Sequence, residues 1–337
     1  MTSTGKPSVS IVIPSWNGRM LLEQMFPSLL LATKEFRDQT GGQWEVIVVD
    51  DGSVDDTIPW IEMIPERNIK LITRRRKSGF ALACNLGFSA CRYEIVILLA
   101  NDLVVDKGFI LPLLPHFREE RVFGVACKSL LRDQTSFNSG GKIGEFSMGF
   151  WRPFRNYDVT NGLETSSRDG PYYSFCIYRG FCALDRRKLQ ELGGFEPMMS
   201  PFYWEDVELS YRAWKRGWVI HYEPRSIVYL DTGNGSHKPY LGVRLERINI
   251  RNRFIFMWKN LHDPGMLLLH LGGILLLALQ AVFTVRAAFF LGLWDTLRAF
   301  PAIFSKRRQE RRMATVRDGA IRKIFGELKK ESFIVMK

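Results

Sequence analysis

Two polar turns in the first third of the chain contain side chains that could carry chemistry. Asp50 and Asp51 directly follow one short apolar run, and Asn101 and Asp102 follow another. A carboxylate in the first turn could accept a hydrogen bond from a nucleotide base. Asp102 could hold Mg²⁺ or Mn²⁺ against a diphosphate, where the metal offsets developing negative charge. Taken alone, the Asp50-Asp51 turn could simply be a tight turn and a helix cap, and the Asn101-Asp102 turn could simply be a turn.

A third acidic turn lies near residue 205. Glu205 and Asp206 follow three aromatic residues, Phe202, Tyr203 and Trp204, at the start of a predicted helix. One carboxylate could act as a general base, and the rings could stack on the faces of a sugar. Acidic residues also suit the positive end of a helix dipole. That alternative explains Glu205 but not the aromatic neighbours.

The elements that must position these turns alternate along the first half of the chain. The predicted strands are Val9–Ile13, Glu45–Val49, Ile69–Thr73, Glu94–Leu99, Val122–Cys127 and Tyr178–Leu184. The predicted helices are Arg19–Phe36, a segment capped by Ser53 and ending at Ile64, Phe80–Cys91, Arg186–Leu192 and Glu205–Arg216. Continuous apolar strands separated by helices indicate an α/β fold with a mostly parallel sheet covered on both faces. Because ligands bind at the carboxyl ends of such strands, we expect the polar turns to meet there.

An absent motif and a segment of unusual composition bear on this interpretation. No GxGxxG follows the first strand, which excludes the dinucleotide fingerprint of a dehydrogenase. Residues Gly140–Tyr173 are rich in Gly, Ser, Asn, Arg and aromatic residues, and we predict an irregular insertion. It either flanks a cleft or is merely a variable loop.

Composition narrows the class of protein. With 337 residues, 46% of them hydrophobic, the chain can bury a substantial core. Its five cysteines are odd in number and lack CxxC spacing, so we expect reduced, buried thiols rather than disulfides or a zinc site. The first residues do not resemble a secretory signal, since the apolar run Val9–Ile13 is too short.

Charge and apolar residues concentrate in the last hundred positions. From Leu241 onward there are 18 Lys and Arg against 7 Asp and Glu, which accounts for most of the net charge of +12. Pro264–Val285 contains no charged residue over 22 positions, and a second apolar stretch, Ala287–Phe304, precedes a basic tail. This pattern indicates an anionic membrane surface rather than nucleic acid.

The membrane arrangement has three possible forms. Basic residues flank the apolar stretch on both sides, which conflicts with a single span under the preference for Lys and Arg on the cytoplasmic side. We therefore expect helices that lie in one leaflet of a membrane, with their basic flanks on anionic headgroups. The alternatives are a true single span and a core helix of a soluble homo-oligomer.

Taken together, the motifs resemble those of the family 2 glycosyltransferases of the GT-A fold, in the branch that includes bacterial rhamnosyltransferases. The resemblance extends over roughly residues 8 to 260. It rests on Val9–Asn17, Val46–Thr57, Gly79–Gly87, Ile97–Asp102, Gly180–Glu196 and Phe202–Gly217.

The resemblance implies a role for each matching residue. It implies a GT-A domain over residues 1–260, followed by membrane-associating helices over 261–337. The nucleotide-sugar pocket would be formed by Pro14, Ser15, Asn17, Asp50, Asp51, Gly79, Asn85, Asn101 and Asp102. Acceptor contacts would come from Gly180, Phe181, Tyr203 and Trp204. Asp206 would be the general base of an inverting transfer, while Glu205 would hold an acceptor hydroxyl or steady the loop.

Two positions depart from the family pattern. Ala100 stands where the first acid of the metal motif is expected, and Leu230 stands near the position of a metal-binding histidine. Asp231 or His237 could supply the missing ligand beside Asp102. These departures leave open a second hypothesis, a membrane scaffold that binds a nucleotide sugar without catalysis. The sugar, the nucleotide (UDP or dTDP) and the acceptor (a glycan or a polyprenyl-linked glycan) also remain open.

Overall fold

The computed structural model describes residues 6–159, 172–178, 180–230, 242–331 and 334–336. Its strands are β1 (Ser8–Ser15), β2 (Gln43–Asp50), β3 (Ile69–Thr73), β4 (Ile95–Leu99), β5 (Leu103–Val105), β6 (Val122–Leu131), β7 (Phe137–Ser139), β8 (Gly141–Ser147), β9 (Phe150–Val159), β10 (Tyr172–Tyr173), β11 (Phe181–Asp185), β12 (Val219–Leu230) and β13 (Ile334–Met336). Its α-helices are α1 (Arg19–Thr40), α2 (Thr57–Glu62), α3 (Phe80–Ala90), α4 (Arg186–Leu192), α5 (Glu205–Lys215), α6 (Gly242–Asn260), α7 (Pro264–Phe283), α8 (Ala287–Arg298), α9 (Phe300–Met313) and α10 (Asp318–Leu328).

The main sheet is mixed but mostly parallel. Its strand order is β10-β12-β6-β11-β4-β1-β2-β3, with β5 paired to β12 and β7 paired to β6. Strands β3, β2, β1 and β4 run parallel, β11 is antiparallel to both β4 and β6, and β12 is parallel to β6. The predicted α/β architecture is confirmed.

Burial explains why the central strands read as continuous apolar runs. Nearly every residue of β1, β2 and β4 is buried, because helices cover both faces of the sheet. Helix α1 turns Leu22, Met25, Phe26 and Leu29 toward the core, which is the spacing of one helical face. Helix α3 approaches more closely: a Cβ at Gly87 would lie 2.4 Å from Cγ1 of Val12.

The helix predicted to begin at Ser53 begins later. Helix α2 starts at Thr57, and the Ser53 hydroxyl instead accepts a hydrogen bond from the Asn17 N–H at 2.7 Å. The Asp55 carboxylate accepts hydrogen bonds from both the backbone and the hydroxyl of Thr57. The residues between Ser53 and Thr57 therefore form a loop that is held against the end of β1.

The prediction of an irregular insertion over Gly140–Tyr173 was wrong for its described part. Strands β8 and β9 form an antiparallel hairpin, and β13 adds to it as a third strand. The glycines that suggested irregularity serve packing instead, since a Cβ at Gly144 would lie 2.1 Å from Cδ2 of Phe175. Residues 160–171 lie outside the described residues.

The C-terminal helices pack on the sheet domain through buried polar contacts. The Lys259 ammonium of α6 lies 2.7 Å from both Glu196 and Glu208. Asp318, at the start of α10, accepts hydrogen bonds from Tyr211 and Lys215 of α5. These contacts connect the last third of the chain to helix α5.

Helix α7 has one packed face and one exposed apolar face. It is long and apolar enough to cross a membrane, with a mean hydropathy of 2.2, and α8 and α9 form a second apolar unit bent by 67°. Met266, His270, Gly273 and Ala281 are buried against the protein. Eight other apolar side chains are exposed: Leu268, Leu269, Leu271, Leu275, Leu276, Leu279, Val282 and Phe283.

The five cysteines are free thiols and all are buried, in line with expectation. Burial raises the pKa of Cys91 and of Cys127 to about 12. A thiol so strongly protonated is a poor nucleophile and a poor metal ligand.

Candidate active site

The predicted pocket residues converge where β1, β2 and β4 end. The register pairs Ser15 with Asp50, and the Asp51 N–H donates to the Ser15 carbonyl at 2.8 Å. From β4, the Asn101 amide donates to the Ser15 hydroxyl at 3.0 Å. A Cβ at Gly18 would collide with both of these polar atoms. Ser15, Asp50, Asp51 and Asn101 therefore meet at one edge of the sheet, as the sequence predicts.

Asp51 is almost fully buried beneath the start of α3. Its carboxylate accepts hydrogen bonds from the Ser78 N–H at 2.9 Å, the Ser78 hydroxyl at 2.6 Å and the Gly79 N–H at 2.8 Å. The Arg74 guanidinium lies 3.6 Å away. The carboxylate thus fixes the loop before α3 and faces a basic segment.

Asp50 and Asn17 organise the turn between them. One oxygen of the buried Asp50 carboxylate accepts from the N–H groups of Gly52 and Ser53, while the other has no hydrogen-bond partner among the described residues. Asn17 adopts a left-handed backbone conformation, and its side chain accepts from the Val54 N–H at 2.9 Å. Both residues support the turn directly, so a ligand contact by either stays a prediction.

The other predicted pocket residues divide into two groups. Pro14 lies in β1 opposite Val49, one residue before the Ser15–Asp50 pair at the ends of the two strands. Gly79 has φ 99°, and a Cβ there would lie 3.0 Å from the Pro201 carbonyl, so this position needs glycine. Asn85 uses both ends of its amide on the Phe195 backbone, at 2.8 Å each. We expect Asn85 to position the loop after α4 rather than to touch a nucleotide.

Asp102 is the residue predicted to bind a divalent metal ion, and its surroundings limit how the ion could be held. Ala100 donates its N–H to the Gly180 carbonyl at 2.7 Å, and this contact fixes the β4 end against β11. Among the described residues, no three His, Cys, Asp or Glu side chains lie close enough together to hold a metal ion. Mg²⁺ often binds through one or two carboxylates together with substrate phosphates and waters. Asp102 together with the phosphates of a nucleotide sugar would fit that pattern.

Two residues were predicted as alternatives for a second metal ligand beside Asp102. Asp231 and His237 lie outside the described residues. The last described residue of β12 is Leu230, which pairs with Leu103, the residue after Asp102. The end of β12 therefore lies next to the turn that contains Asp102.

A strained loop leads into the predicted base. Tyr203 and Trp204 have φ values of 76° and 73°, in the left-handed region that costs non-glycine residues energy. Helix α6 holds this loop: the Asn252 amide lies 2.7 to 2.9 Å from the carbonyls of Met199, Phe202 and Tyr203. Such strain persists only where the surroundings enforce it, and it clusters at functional sites.

Asp206 occupies the first turn of α5. Its carboxylate is half-buried and accepts from the Val207 N–H at 2.8 Å, where the positive end of the helix dipole favours negative charge. Glu205 is fully buried. Burial favours the expected loop-steadying role for Glu205 over direct contact with an acceptor.

A buried cation lies near Asp206. Burial lowers the pKa of the Lys142 ammonium, and the negative charge of Asp206 opposes that effect. Burial, with Asp206 adding to it, also raises the pKa of the Cys176 thiol. Lys142 lies over the Tyr178 ring, 4.6 Å from its centre. Strand β8 thus places a buried lysine where it interacts electrostatically with Asp206, which the sequence did not reveal.

The predicted acceptor residues differ in availability. Trp204 is buried, its ring packs on Phe256, and its indole N–H donates to Asn249 at 2.6 Å. Phe181 is also buried, stacked on Tyr178 at 4.3 Å. These neighbours cover both rings, so burial disfavours an acceptor contact by Trp204 or Phe181, and such a contact stays a prediction. Tyr203 is partly exposed and remains a candidate.

Gly180 shapes the same wall of the site. It has φ 92°, and a Cβ there would lie 2.6 Å from the Ala100 Cβ. Glycine is therefore required for β11 to approach the end of β4. Any contact that Gly180 makes with an acceptor would come from its backbone.

A basic segment at the pocket edge was not predicted from the sequence. Arg74–Lys77 lies in the loop between β3 and α3. A Cβ at Gly52 would lie 2.9 Å from the backbone nitrogen of Lys77. The Lys77 ammonium lies 2.9 Å from the centre of the Trp16 ring, which is 46% exposed. Three arginines and a lysine in a row at the carboxyl end of a strand were the available signal. Such a run suits a ligand with negative charge.

The chain belongs to glycosyl transferase family 2, whose model matches residues 10–192. The family that the motifs predicted is therefore confirmed.

Curated relatives support the same assignment. The chain is 29% identical over 236 residues to the probable polypeptide N-acetylgalactosaminyltransferase 8 of Homo sapiens, covering 65% of this chain and 36% of the human protein. It is 28% identical over 231 residues to polypeptide N-acetylgalactosaminyltransferase 8 of Drosophila melanogaster, covering 66% and 38%. The chain thus spans little more than a third of the length of these relatives.

Solved structures share the fold at low identity. GalNAc-T7 with UDP, GalNAc and Mn²⁺ superposes with a TM-score of 0.56 at 18% identity, covering 76% of this chain and 48% of that one. The mannosyltransferase PcManGT of Pyrobaculum calidifontis, in complex with GDP-Man and Mn²⁺, gives 0.54 at 16% identity, covering 97% and 89%. S. aureus TarS with UDP-GlcNAc gives 0.52 at 14% identity, covering 96% and 91%. The predicted GT-A fold is confirmed.

Proposed function

We propose that the protein transfers a sugar from a nucleotide diphosphate sugar to an acceptor hydroxyl. The observation that carries this proposal is the convergence at one sheet edge of Asp51, Asn101 and Ser15, together with Asp206 in the first turn of α5, directly after a strained loop. Family membership supports it, and three structural neighbours were solved with UDP, GDP-Man or UDP-GlcNAc bound.

In the proposed reaction Asp206 takes the proton of the acceptor hydroxyl as that oxygen attacks the anomeric carbon. The bond from this carbon to the diphosphate breaks, and the leaving diphosphate takes the electron pair. Attack opposite the leaving group inverts the anomeric centre. When bound at Asp102, Mg²⁺ or Mn²⁺ supplies positive charge that stabilises the leaving diphosphate. The basic segment Arg74–Lys77 provides further positive charge at the pocket edge.

The proposed donor is a UDP- or dTDP-linked sugar, and rhamnose stays a prediction. The proposed acceptor is a glycan or a polyprenyl-linked glycan on the cytoplasmic side of a bacterial membrane. The exposed apolar face of α7 supports attachment to the membrane. Its packed face, from Met266 to Ala281, supports a helix that lies along the protein in one leaflet rather than one that spans.

The test is nucleoside diphosphate release by detergent-purified protein, with UDP-, dTDP- and GDP-sugars, Mn²⁺ or Mg²⁺, and a crude lipid acceptor extract. Asp206→Asn is the matched variant, since it removes the charge and keeps the shape. We expect metal-dependent release from one donor, reduced at least 1,000-fold in the variant, on the order of what a positioned acid–base group contributes. Equal release by both proteins would refute the role of Asp206.

A second function is supported by one observation. Ala100 cannot ligate a metal, and the described residues contain no three-ligand cluster. A protein that binds the nucleotide sugar without turnover would bind donor equally in wild type and Asp206→Asn and release no diphosphate from either.

A further inference from the structure

A cavity of about 940 Å³ lies between α5, α7 and the α9–α10 connection, away from the acidic turns. Among its lining residues are Lys215, Arg311, Arg317 and Arg322, against a single carboxylate, Asp263. The three arginines are exposed, and within the described residues none of them forms an ion pair. Their charge is therefore available to a ligand.

The frame of this cavity is held by buried hydrogen bonds. The Asp318 carboxylate, which is fully buried, accepts from Lys215 at 2.8 Å, Tyr211 at 2.5 Å and the His262 N–H at 2.7 Å. The Thr315 N–H donates to the Lys215 carbonyl at 2.8 Å. The basic residues thus project from fixed backbone positions.

An apolar groove of about 590 Å³ continues from the cavity along α7. The two share Leu269 and Arg322 as lining residues. The groove is walled by Met148 of the β8–β9 hairpin and by leucines of α7 such as Leu268 and Leu276, which are 71% and 56% exposed. A basic cavity that opens into an apolar groove matches a molecule with an anionic head and a hydrocarbon tail.

We propose that this cavity and groove bind one anionic membrane phospholipid, with its phosphate among Arg311, Arg317 and Arg322 and its acyl chain along α7. The inference rests on the proposed membrane location and names the site that would fix α7 in the membrane surface. Lipid phosphate attracts arginine through charge and paired hydrogen bonds, and buried acyl carbons add affinity along the groove.

The position of the cavity separates this ligand from the reaction. Lys215 is nine residues after Asp206 on α5, which is about 13 Å along a helix. A lipid-linked acceptor with its phosphate here could reach Asp206 only through several intervening sugars. We therefore assign the site to a membrane phospholipid.

The test uses dihexanoyl phosphatidylglycerol below its micelle concentration, so that no membrane surface contributes. Titration calorimetry compares wild type with Arg317→Gln/Arg322→Gln and with the charge-matched control Arg308→Gln/Arg312→Gln, two exposed α9 arginines outside the cavity lining. We expect saturable 1:1 binding, weakened at least tenfold by the cavity pair and unchanged by the control pair. Dihexanoyl phosphatidylcholine and glycerol phosphate should each bind at least tenfold more weakly, since one lacks net charge and the other lacks chains.

Three results of the calorimetry would overturn the proposal. Equal loss in both double variants, or non-saturable binding, would mean general surface charge. Farnesyl diphosphate that binds more tightly and competes would point to a lipid-linked substrate instead. Flotation of the wild type with phosphatidylglycerol vesicles tests the proposed membrane location separately. If the wild type floats and the Arg317→Gln/Arg322→Gln variant still binds dihexanoyl phosphatidylglycerol as tightly as the wild type, the lipid site is refuted and the membrane location is not.

Discussion

Asn252 offers the sharpest test of how the site is held. Its buried amide has two hydrogens for three backbone carbonyls of the loop that precedes Asp206. Asn252→Leu keeps the branched shape of the side chain, removes both donors and leaves buried carbonyls unsatisfied, at about 1–3 kcal/mol each. The two left-handed residues Tyr203 and Trp204 store about 1–3 kcal/mol each. The free energy that the Asn252 hydrogen bonds contribute is similar to the free energy stored in the two strained residues. Without Asn252 the loop should therefore relax.

Relaxation of this loop moves Asp206 rather than removing it. A misplacement of the order of 1 Å can lower a rate about 100-fold. We therefore expect kcat for diphosphate release to fall about 100-fold in Asn252→Leu, with a smaller change in the KM for the donor. Hydrogen exchange should become faster at the backbone amides of residues 199–204.

Asn260→Leu is the matched control. Asn260 is equally buried on the same helix, but its amide donates to Glu208 and to the Phe256 carbonyl, away from the loop. Both variants should lower the free energy of unfolding, and only Asn252→Leu should lower kcat. Wild-type kcat in Asn252→Leu, or an equal loss in both variants, would refute the argument.

Three further predictions follow from buried groups. Lys259→Met removes the cation that Glu196 and Glu208 share and leaves each with one other cation, Lys306 or Arg212, so the free energy of unfolding in urea should fall by no more than about 3 kcal/mol. Burial, followed by the charge of His116, lowers the pKa of His221 to about 3, so it stays neutral in the folded state. The unfolded state takes up a proton below about pH 6.5, so stability falls as pH drops from there toward 3, by up to ~1.4 kcal/mol per unit. His221→Gln should flatten that slope in urea titrations at pH 7.5 and 5.5. Gly180→Ala combines backbone strain with a 2.6 Å clash against Ala100, so urea unfolding should reveal a loss of ~2–5 kcal/mol.

Local pattern predicted the first half of the fold well because its elements are continuous in sequence. Ile69–Thr73 and Arg186–Leu192 have the predicted bounds, and most other elements there differ by a few residues at their ends. Strand β12 was missed because polar residues and Pro224 interrupt it, and the register shifts between Glu223 and Ile227. The β8–β9 hairpin was missed because its glycines accommodate aromatic rings from distant parts of the chain.

The candidate site was predictable only where its residues form a motif. The acidic turns stand out in sequence because each follows a strand or starts a helix. Lys142 and Asn252 lie tens of residues from Asp206 along the chain, and nothing local marks them as its neighbours. Burial also disfavours an interpretation made from residue type: Trp204 could stack on a sugar, but it packs on Phe256.

Helix α5 connects the candidate site to the C-terminal helices. Asp206 lies in its first turn, Glu208 meets Lys259 of α6 one half-turn later, and Lys215 at its end meets Asp318 of α10. The Phe325 ring of α10 packs 5.2 Å from the rings of both Phe175 and Trp214. A boundary after residue 260 therefore does not separate two independent cores, because the later helices complete the core behind the proposed base.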